Sequence, residues 1–345
     1  MGNGIVIKNT GSNYIVTTPD GSTVACKVKG NFRLKGIRTT NPIAVGDEVT
    51  FTESSDDSAY ITAIAPRRNY IIRRASNLSK EAHILAANVD QAFLVVSFKN
   101  PLTSTTFIDR FLATAEAYSV PVILVINKTD ILDPEELEYV DAVTYLYSGI
   151  GYEVLSFSAT TSDDEPVSRL LAMAAGKISL IAGNSGVGKS TIINRLIPGL
   201  DLRTGDVSAT HHTGMHTTTF SEMHPLPSGG YLIDTPGVKG FGTVDFGDDV
   251  AHYFREIFAR SRDCKYGNCT HTHEPGCAVR EAVEQHEISE SRYASYLSIL
   301  SDKEEGKYRK PFWSSHCVYS AVTIVVSSHA CNHSAITQVV SSLIS

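Results

Sequence analysis

The sequence predicts a multidomain protein with an N-terminal OB-like β barrel, a central α/β domain and a mainly α-helical C-terminal domain. Three observations predict this. Residues 1–72 alternate apolar and polar positions in short runs, residues 80–245 alternate β-branched apolar runs with helical stretches, and residues 246–310 have a helical pattern around a Cys/His cluster. Residues 311–345 contain no Asp, Glu, Lys or Arg and are left unassigned.

Composition limits the function classes. The chain has 345 residues, of which 42% are hydrophobic and 19% charged, as in ordinary globular proteins. The net charge of −7 does not indicate a nucleic-acid partner, which would have to bind a local basic patch. The first residues lack a charged leader followed by an apolar core, and His, Asn, Gln and Ser interrupt the apolar C-terminal segment. We therefore expect a cytoplasmic protein without a membrane partner.

The barrel is predicted from about five short alternating runs, among them GIVIKN and GDEVTFTE, separated by Gly, Asn and Asp. Any other small β domain is the alternative interpretation. Two pairs of arginines bracket the link into the next domain: Arg67, Arg68, Arg73 and Arg74. They are either solvated surface or a patch that contacts phosphates.

The α/β domain is predicted from five apolar runs: QAFLVVSF, VPVILVIN, YEVLSFSA, KISLIAGN and GGYLIDTP. Helical stretches separate several of them, including one from Thr106 to Tyr118. This rhythm is typical of a parallel sheet covered by helices on both faces.

A phosphate-binding loop follows one of these strands. Residues 183–190 fit the pattern G-x-x-x-x-G-K-[ST] between the strand ISLIA and the helical run TIINRLI. Backbone N–H groups and the helix N-terminus would hold phosphate oxygens, Lys189 would reach the β- and γ-phosphates, and Ser190 would bind Mg²⁺. The predicted nucleotide-binding residues here are Gly183, Asn184, Ser185, Gly186, Val187, Gly188, Lys189, Ser190 and Thr191.

Two further motifs predict that the base is guanine. Asn127-Lys128-Thr129-Asp130 follows the strand VPVILVI, and Asp130 would accept from both N1–H and the exocyclic amine of guanine. Adenine lacks that donor pair and would leave a buried carboxylate unpaired. Ser158-Ala159 ends another strand, where a backbone N–H would donate to guanine O6.

The remaining nucleotide motifs surround the γ-phosphate. Asp234 ends the strand GGYLI and would hold Mg²⁺ through water, while the N–H of Gly237 in the same DTPG motif would contact the γ-phosphate. One of the threonines 217–219, with Thr218 as the candidate, would bind Mg²⁺ only while the γ-phosphate is present. Residues 203–220 would then form a switch.

The order of these motifs is permuted. In a standard small GTPase the phosphate loop comes first and NKxD comes late. Here NKTD and Ser158-Ala159 precede the phosphate loop, the threonine loop and DTPG. The same sheet can form when the usual ends are joined and new ends are cut in a surface loop. The sequence therefore predicts a circularly permuted P-loop GTPase domain.

A metal site is predicted near residue 270. Cys264, Cys269 and Cys277 supply three thiols within fourteen residues, and His271 and His273 are alternative fourth ligands. Four such ligands suit one structural Zn²⁺ with no open position.

Over residues 1–310 the sequence resembles the RsgA (YjeQ/EngC) family of circularly permuted GTPases, which assist late maturation of the small (30S) ribosomal subunit. The resemblance lies in the barrel, the permuted motif order, the segments HTTT and DTPGVKGFG, and the Cys/His cluster. It implies GTP hydrolysis to GDP and phosphate, 16S rRNA binding, ribosome-stimulated turnover and a monomer. It also implies that His271, by its spacing, is the zinc ligand.

Hydrolysis would need help from a group other than the usual glutamine. The position after Gly237 is Val238, which can neither donate nor accept a hydrogen bond. His216 on the threonine loop is the catalytic candidate beside Lys189, as a group that orients the attacking water or acts as its base. Relatives usually have a basic residue before this His, whereas this chain has Met215.

Two other functions are alternatives to a ribosome-stimulated GTPase. A nucleotide-gated RNA-binding module with little hydrolysis is compatible with Val238. A P-loop kinase for a small metabolite is disfavoured, because it would leave NKTD and Ser158-Ala159 without a purpose.

Overall fold

The structure of the chain, a computed structural model, describes residues 1–11, 13–28, 43–53, 59–74, 82–161, 164–202, 222–234 and 250–304. The strands are β1 Gly2–Asn9, β2 Asn13–Thr17, β3 Thr23–Val28, β4 Glu48–Glu53, β5 Ala59–Ile64, β6 Tyr70–Arg74, β7 Ala82–Ala87, β8 Gln91–Val96, β9 Val122–Ile126, β10 Glu153–Ser156, β11 Lys177–Ala182, β12 Glu222–Pro225 and β13 Gly230–Asp234. The α-helices are α1 Thr105–Ala117, α2 Pro134–Gly149, α3 Glu165–Ala174, α4 Lys189–Leu196, α5 Arg255–Ser261, α6 Ala278–Glu284 and α7 Glu290–Glu304.

The first five strands form a closed barrel. They pair in the order β1-β2-β3-β5-β4, and β4 returns to pair with β1. Only the β3–β5 pairing is parallel. Alternate residues such as Val6, Val16 and Phe51 are buried inside, which is what the apolar-polar alternation predicts. The predicted OB-like barrel is confirmed.

The central domain is built on the sheet order β10-β9-β8-β11-β13-β12. All neighbours are parallel except β12, which runs antiparallel to β13. Every residue of β8 is buried, and its alternate side chains enter two separate cores. Helices α1 and α2 cover one face and α3 and α4 the other, so the predicted doubly covered α/β domain is confirmed.

Local sequence rules set the helix ends. Ser104 caps α1 by accepting from the Phe107 N–H. Before α2, Asp133 and Glu136 form a reciprocal capping box, and Pro134 occupies the first turn, where no backbone donor is needed.

The barrel is joined to the central sheet through β1. Lys8 of β1 pairs with Glu222 of β12, so that both form part of one continuous sheet. Arg67 forms a buried ion pair with Asp47, and Arg68 pairs with Asp90. Two of the four arginines in the predicted basic patch are therefore held by carboxylates of the protein.

The C-terminal part packs α5, α6 and α7 around Phe254, Ile257 and Tyr296. A short 3₁₀ helix, Val250–Tyr253, precedes α5. This core also contains Ala113 of α1, so the helical part rests directly on the central domain. Within the part of the chain given above, no helix is both long and apolar enough to cross a membrane.

A buried ionic network lies between the two parts. Arg292 of α7 donates to Asp109 of α1 at 2.7 Å and to Glu256 of α5 at 2.6 Å. Tyr147 of α2 donates to the same Asp109 oxygen at 2.7 Å. The Arg292 side chain is 1% exposed and its guanidinium lies 4.6 Å from the ring centroid of Phe254. This charge therefore depends on its two carboxylate partners.

Candidate functional site

The predicted phosphate-binding loop lies between β11 and α4, at the carboxyl end of the parallel strands. Gly183 and Gly188 have positive φ angles of 147° and 98°. A Cβ at Gly183 would lie 2.1 Å from the Val95 carbonyl oxygen, and one at Gly188 would lie 2.2 Å from the Asn127 side-chain nitrogen. Both positions therefore require glycine.

Lys189 is buried at the start of α4. Its ammonium group donates to the carbonyl oxygens of Gly183 at 3.0 Å and Asn184 at 2.9 Å. Burial lowers the pKa of Lys189 to about 8, although the negative charge of Asp234 acts in the opposite direction. A buried ammonium that donates to two carbonyl oxygens is well placed to pair with an anionic phosphate.

This arrangement predicts how nucleotide affinity depends on pH. Bound phosphates favour the charged ammonium, so binding should raise the pKa of Lys189 above its value of about 8 in the free protein. Below that pH, Lys189 is already charged and affinity is flat. Above it, binding must restore a proton, and GDP affinity should fall by up to about tenfold per pH unit.

Titration with a fluorescent GDP analogue across this pH range checks the prediction. Guanine itself loses its N1 proton in alkali, so Lys189→Met is the matched control. An equal decline in the wild type and in Lys189→Met would contradict the assignment to Lys189.

Asp234 lies beside this loop because β13 pairs with β11, with Asp234 in register with Ile181. The Asp234 side chain is buried, and its charge acts on Lys189. Ser190 and Thr191 follow Lys189 in the first turn of α4 and are half-buried. The structure thus brings the Walker-type lysine and the strand-end aspartate together, with Ser190 next to them in sequence.

Asn127 connects the motifs predicted to read guanine with the predicted phosphate loop. Its side-chain amide donates to the Val187 carbonyl oxygen at 2.8 Å and accepts from the Ala159 N–H at 2.9 Å. The Asn127 side chain is buried. Motifs separated by 60 residues in the chain are therefore adjacent in the fold. They meet beyond the carboxyl ends of β9 and β11, which flank β8 in the sheet.

Asp130 is held by two hydroxyls at the solvent-exposed end of this region. Ser158 donates to one carboxylate oxygen and Thr160 to the other, the latter at 3.3 Å. Lys128 takes a left-handed conformation with φ 67° and donates to the Asn100 carbonyl oxygen at 2.5 Å. Thr160 and Asn100 are not among the residues that the motifs predicted.

Three predicted site residues, His216, Thr218 and Gly237, lie outside the described residues. The same holds for Val238 and for the whole of the predicted switch, residues 203–220. Their assigned roles remain predictions.

The Cys/His cluster is compact. The ligand atoms of Cys264, Cys269, His271 and Cys277 all lie within 4.8 Å of one another. Cys264 Sγ lies 3.6 Å from His271 Nδ1 and 4.0 Å from Cys277 Sγ, and Cys277 Sγ lies 3.5 Å from His271 Nδ1. A tetrahedral zinc site has edges of about 3.8 Å between thiolates and about 3.6 Å between thiolate and imidazole nitrogen. The donor atoms therefore fit a metal ion of that size.

Surrounding residues hold these ligands in place. Tyr293 donates to the His271 carbonyl oxygen at 2.6 Å, and Glu274 accepts from the backbone N–H of Thr270 at 2.7 Å. His271 is buried with Nδ1 toward the thiols, whereas His273 is exposed and contacts Thr272. The cluster contains His271 and not His273.

Comparison with known proteins identifies the family. The sequence matches the RsgA GTPase family over residues 64–244 and the RsgA N-terminal domain over residues 3–61. It is 60% identical over 310 residues to the small ribosomal subunit biogenesis GTPase RsgA of Bacteroides fragilis, covering 90% of this chain and 99% of that protein. The chain belongs to the RsgA family of GTPases.

Further relatives agree with this assignment. The chain is 61% identical over 312 residues to the small ribosomal subunit biogenesis GTPase RsgA of Phocaeicola vulgatus, with 90% and 99% coverage. The crystal structure of YjeQ from Thermotoga maritima is 35% identical with a TM-score of 0.69, covering 89% of this chain and 99% of that one. The crystal structure of YloQ, a circularly permuted GTPase, is 28% identical with a TM-score of 0.65, covering 90% and 97%.

Membership in the RsgA family confirms the predicted enzyme class. The chain is a GTP-hydrolysing enzyme with a circularly permuted GTPase domain. GTPases use Mg²⁺ in that reaction. The interpretation as an RNA-binding module with little hydrolysis is correspondingly disfavoured.

Proposed function

We propose that the chain is a maturation factor for the small (30S) ribosomal subunit that hydrolyses GTP to time its release. The observation that carries the proposal is the identity of 60% and 61%, over 90% of this chain and 99% of each relative, with two proteins named small ribosomal subunit biogenesis GTPases. The factor would act in the cytoplasm as a monomer, with 16S rRNA among its contacts through the barrel and the C-terminal domain.

The nucleotide site supports this proposal through its geometry. GTP would place its phosphates in the loop 183–188 with Lys189 on the β- and γ-phosphates. Ser190 and Asp234 would hold Mg²⁺, which supplies charge neutralisation on the phosphates. Asn127, supported by Val187 and Ala159, would fix the base pocket. Asp130, held in place by Ser158 and Thr160, would accept from guanine with its remaining lone pairs.

The switch residues complete the proposed site. Thr218 would bind Mg²⁺ and the Gly237 N–H would contact the γ-phosphate, so loss of that phosphate would release both segments. His216 would orient the attacking water, because Val238 has no group that can do so. Removal of the His216 imidazole would then reduce ribosome-stimulated turnover and leave GTP affinity intact.

We further propose that the metal of the Cys/His cluster is one structural Zn²⁺. Three thiols and one imidazole leave no open position for substrate. Cys277 belongs to the core of the C-terminal helices, and Cys264 and Cys269 pack against it, so the ion would stabilise that core directly.

Elemental analysis of the purified chain should find one zinc per molecule. Cys277→Ser should lose the metal and several kcal/mol of stability, since structural zinc contributes roughly 10 kcal/mol or more to folding. Cys26→Ser is the matched control, because that buried thiol lies in the barrel core and should leave the zinc content unchanged. Absence of zinc in wild-type protein, or its retention in Cys277→Ser, would contradict the zinc assignment.

Cosedimentation with purified ribosomal subunits tests the proposed partner. We expect the chain to sediment with small subunits in the presence of a non-hydrolysable GTP analogue and to dissociate from them when GDP replaces the analogue. It should not bind large subunits. Equal binding to both subunits, or binding independent of the nucleotide, would contradict the proposal.

A further inference from the structure

Arg195, in the last turn of α4, lies between the phosphate-binding helix and the base-reading loop. Its guanidinium donates to the Thr161 carbonyl oxygen at 3.0 Å, to the Ala159 carbonyl oxygen at 3.4 Å, and to the Asp164 carboxylate. Its side chain is 18% exposed. Arg195 lies in the helical run that follows the phosphate loop, outside the residues predicted to bind the nucleotide.

The contacts of Arg195 exceed what its own helix needs. A basic side chain in the last turn favours a helix through the helix dipole alone. The guanidinium instead reaches acceptors 31 to 36 positions earlier in the chain, two of them backbone carbonyls of the loop after β10. A planar guanidinium that spans several acceptors fixes their relative position more strictly than an ammonium can.

Arg195 contacts the loop after β10 at Ala159, a residue of the predicted Ser158-Ala159 motif. The Ala159 N–H donates to Asn127, and the Ala159 carbonyl oxygen accepts from Arg195. Its neighbours Ser158 and Thr160 donate their hydroxyls to Asp130. The loop is thus anchored from β9 on one side and from α4 on the other.

We infer that Arg195 is a positioning residue for guanine recognition, which holds the loop 158–161 at a fixed distance from the phosphate-binding helix. The inference rests on the proposed guanine site. Without Arg195, the phosphate loop keeps its own contacts, through Lys189 and the glycines, but the loop that supports Asp130 loses its anchor on α4. Base reading then weakens while phosphate binding does not.

Calorimetric titration of the full chain with GDP, IDP and magnesium pyrophosphate tests this inference. IDP lacks the exocyclic amine that Asp130 would bind, and pyrophosphate has no base. In Arg195→Ala we expect GDP affinity to fall by about 10- to 100-fold and the GDP/IDP preference to shrink, with pyrophosphate affinity unchanged. Arg195→Lys keeps the charge without the planar fork, so its GDP affinity should lie between those of the wild type and Arg195→Ala.

Two matched controls separate positioning from general stabilisation. Asp164→Ala removes the exposed carboxylate partner and leaves the carbonyl contacts. Arg169→Ala removes an exposed ion pair between Arg169 of the neighbouring helix α3 and Glu153 of β10. Both should bind GDP as the wild type does. A parallel loss of GDP and pyrophosphate affinity in Arg195→Ala, or an unchanged GDP/IDP preference in both Arg195 variants, would overturn the inference. A wild type with no preference for GDP over IDP would instead refute the proposed guanine site.

Discussion

Asp130→Asn is expected to reverse the base preference of the enzyme. The carboxylate would accept two hydrogen bonds from guanine, and the amide can accept only one while its NH₂ group faces the guanine amine. Loss of one to two charge-assisted bonds lowers GTP affinity by about 10²- to 10⁴-fold. Xanthine carries a carbonyl oxygen where guanine carries the amine, so the asparagine amide can donate to it. XTP should therefore bind Asp130→Asn better than GTP does.

Competition of GTP and XTP against a fluorescent nucleotide measures this reversal. Lys128→Ala is a useful comparison, because Lys128 contacts Asn100 and would pack over either base without reading its edge. It should weaken both nucleotides together. If Asp130→Asn lost GTP and XTP affinity equally, Asp130 would not be the residue that reads the base edge.

Arg292→Met is expected to produce the largest loss of stability among single substitutions at the contact between the central and C-terminal parts. It leaves the carboxylates of Asp109 and Glu256 without their common buried cation. Breaking one partner of a buried ionic network costs about 3–5 kcal/mol. That is a large fraction of the roughly 5–15 kcal/mol that stabilises a typical domain.

Denaturant unfolding of the purified variants measures this loss. Arg169→Met, which removes the exposed pair with Glu153, should cost less than about 1 kcal/mol. Adding Asp109→Asn and Glu256→Gln to Arg292→Met should recover most of the loss, because no unpaired charge then remains buried. If the triple variant were no more stable than Arg292→Met, the penalty would come from packing around Phe254 and not from charge.

The strands and helices that follow a clear local pattern were predictable. The uninterrupted apolar runs that became β8 and β9, the alternation along β4, and the helix from Thr106 to Tyr118 are each set by the residues they contain. The strand β12 was not predicted, because Glu222-Met-His-Pro225 is short, polar and ends in proline. It forms because β13 and β1 offer it hydrogen-bonding edges on both sides. The hairpin β6–β7 was missed as well.

The candidate site likewise contains residues that a sequence pattern predicts and residues that no pattern predicts. Glycines and charged groups in fixed spacing predicted the phosphate loop, the guanine motif and the Cys/His cluster. The residues that hold those motifs together, Arg195 and Thr160, belong to no pattern of fixed spacing. Their positions depend on how α4 packs beside the loop after β10, and that packing is set by the buried core between α3, α4 and the sheet.

The hydrolysis of GTP with and without ribosomal subunits tests the central claim most directly. Phosphate release would be measured for the purified chain alone, with purified small subunits and with large subunits, with ATP in place of GTP as the nucleotide control. We expect slow GTP turnover by the chain alone, strong stimulation by small subunits and not by large subunits, and no ATP turnover. Turnover that small subunits leave unchanged, although the nucleotide binds, would contradict the claim that the small subunit triggers this enzyme.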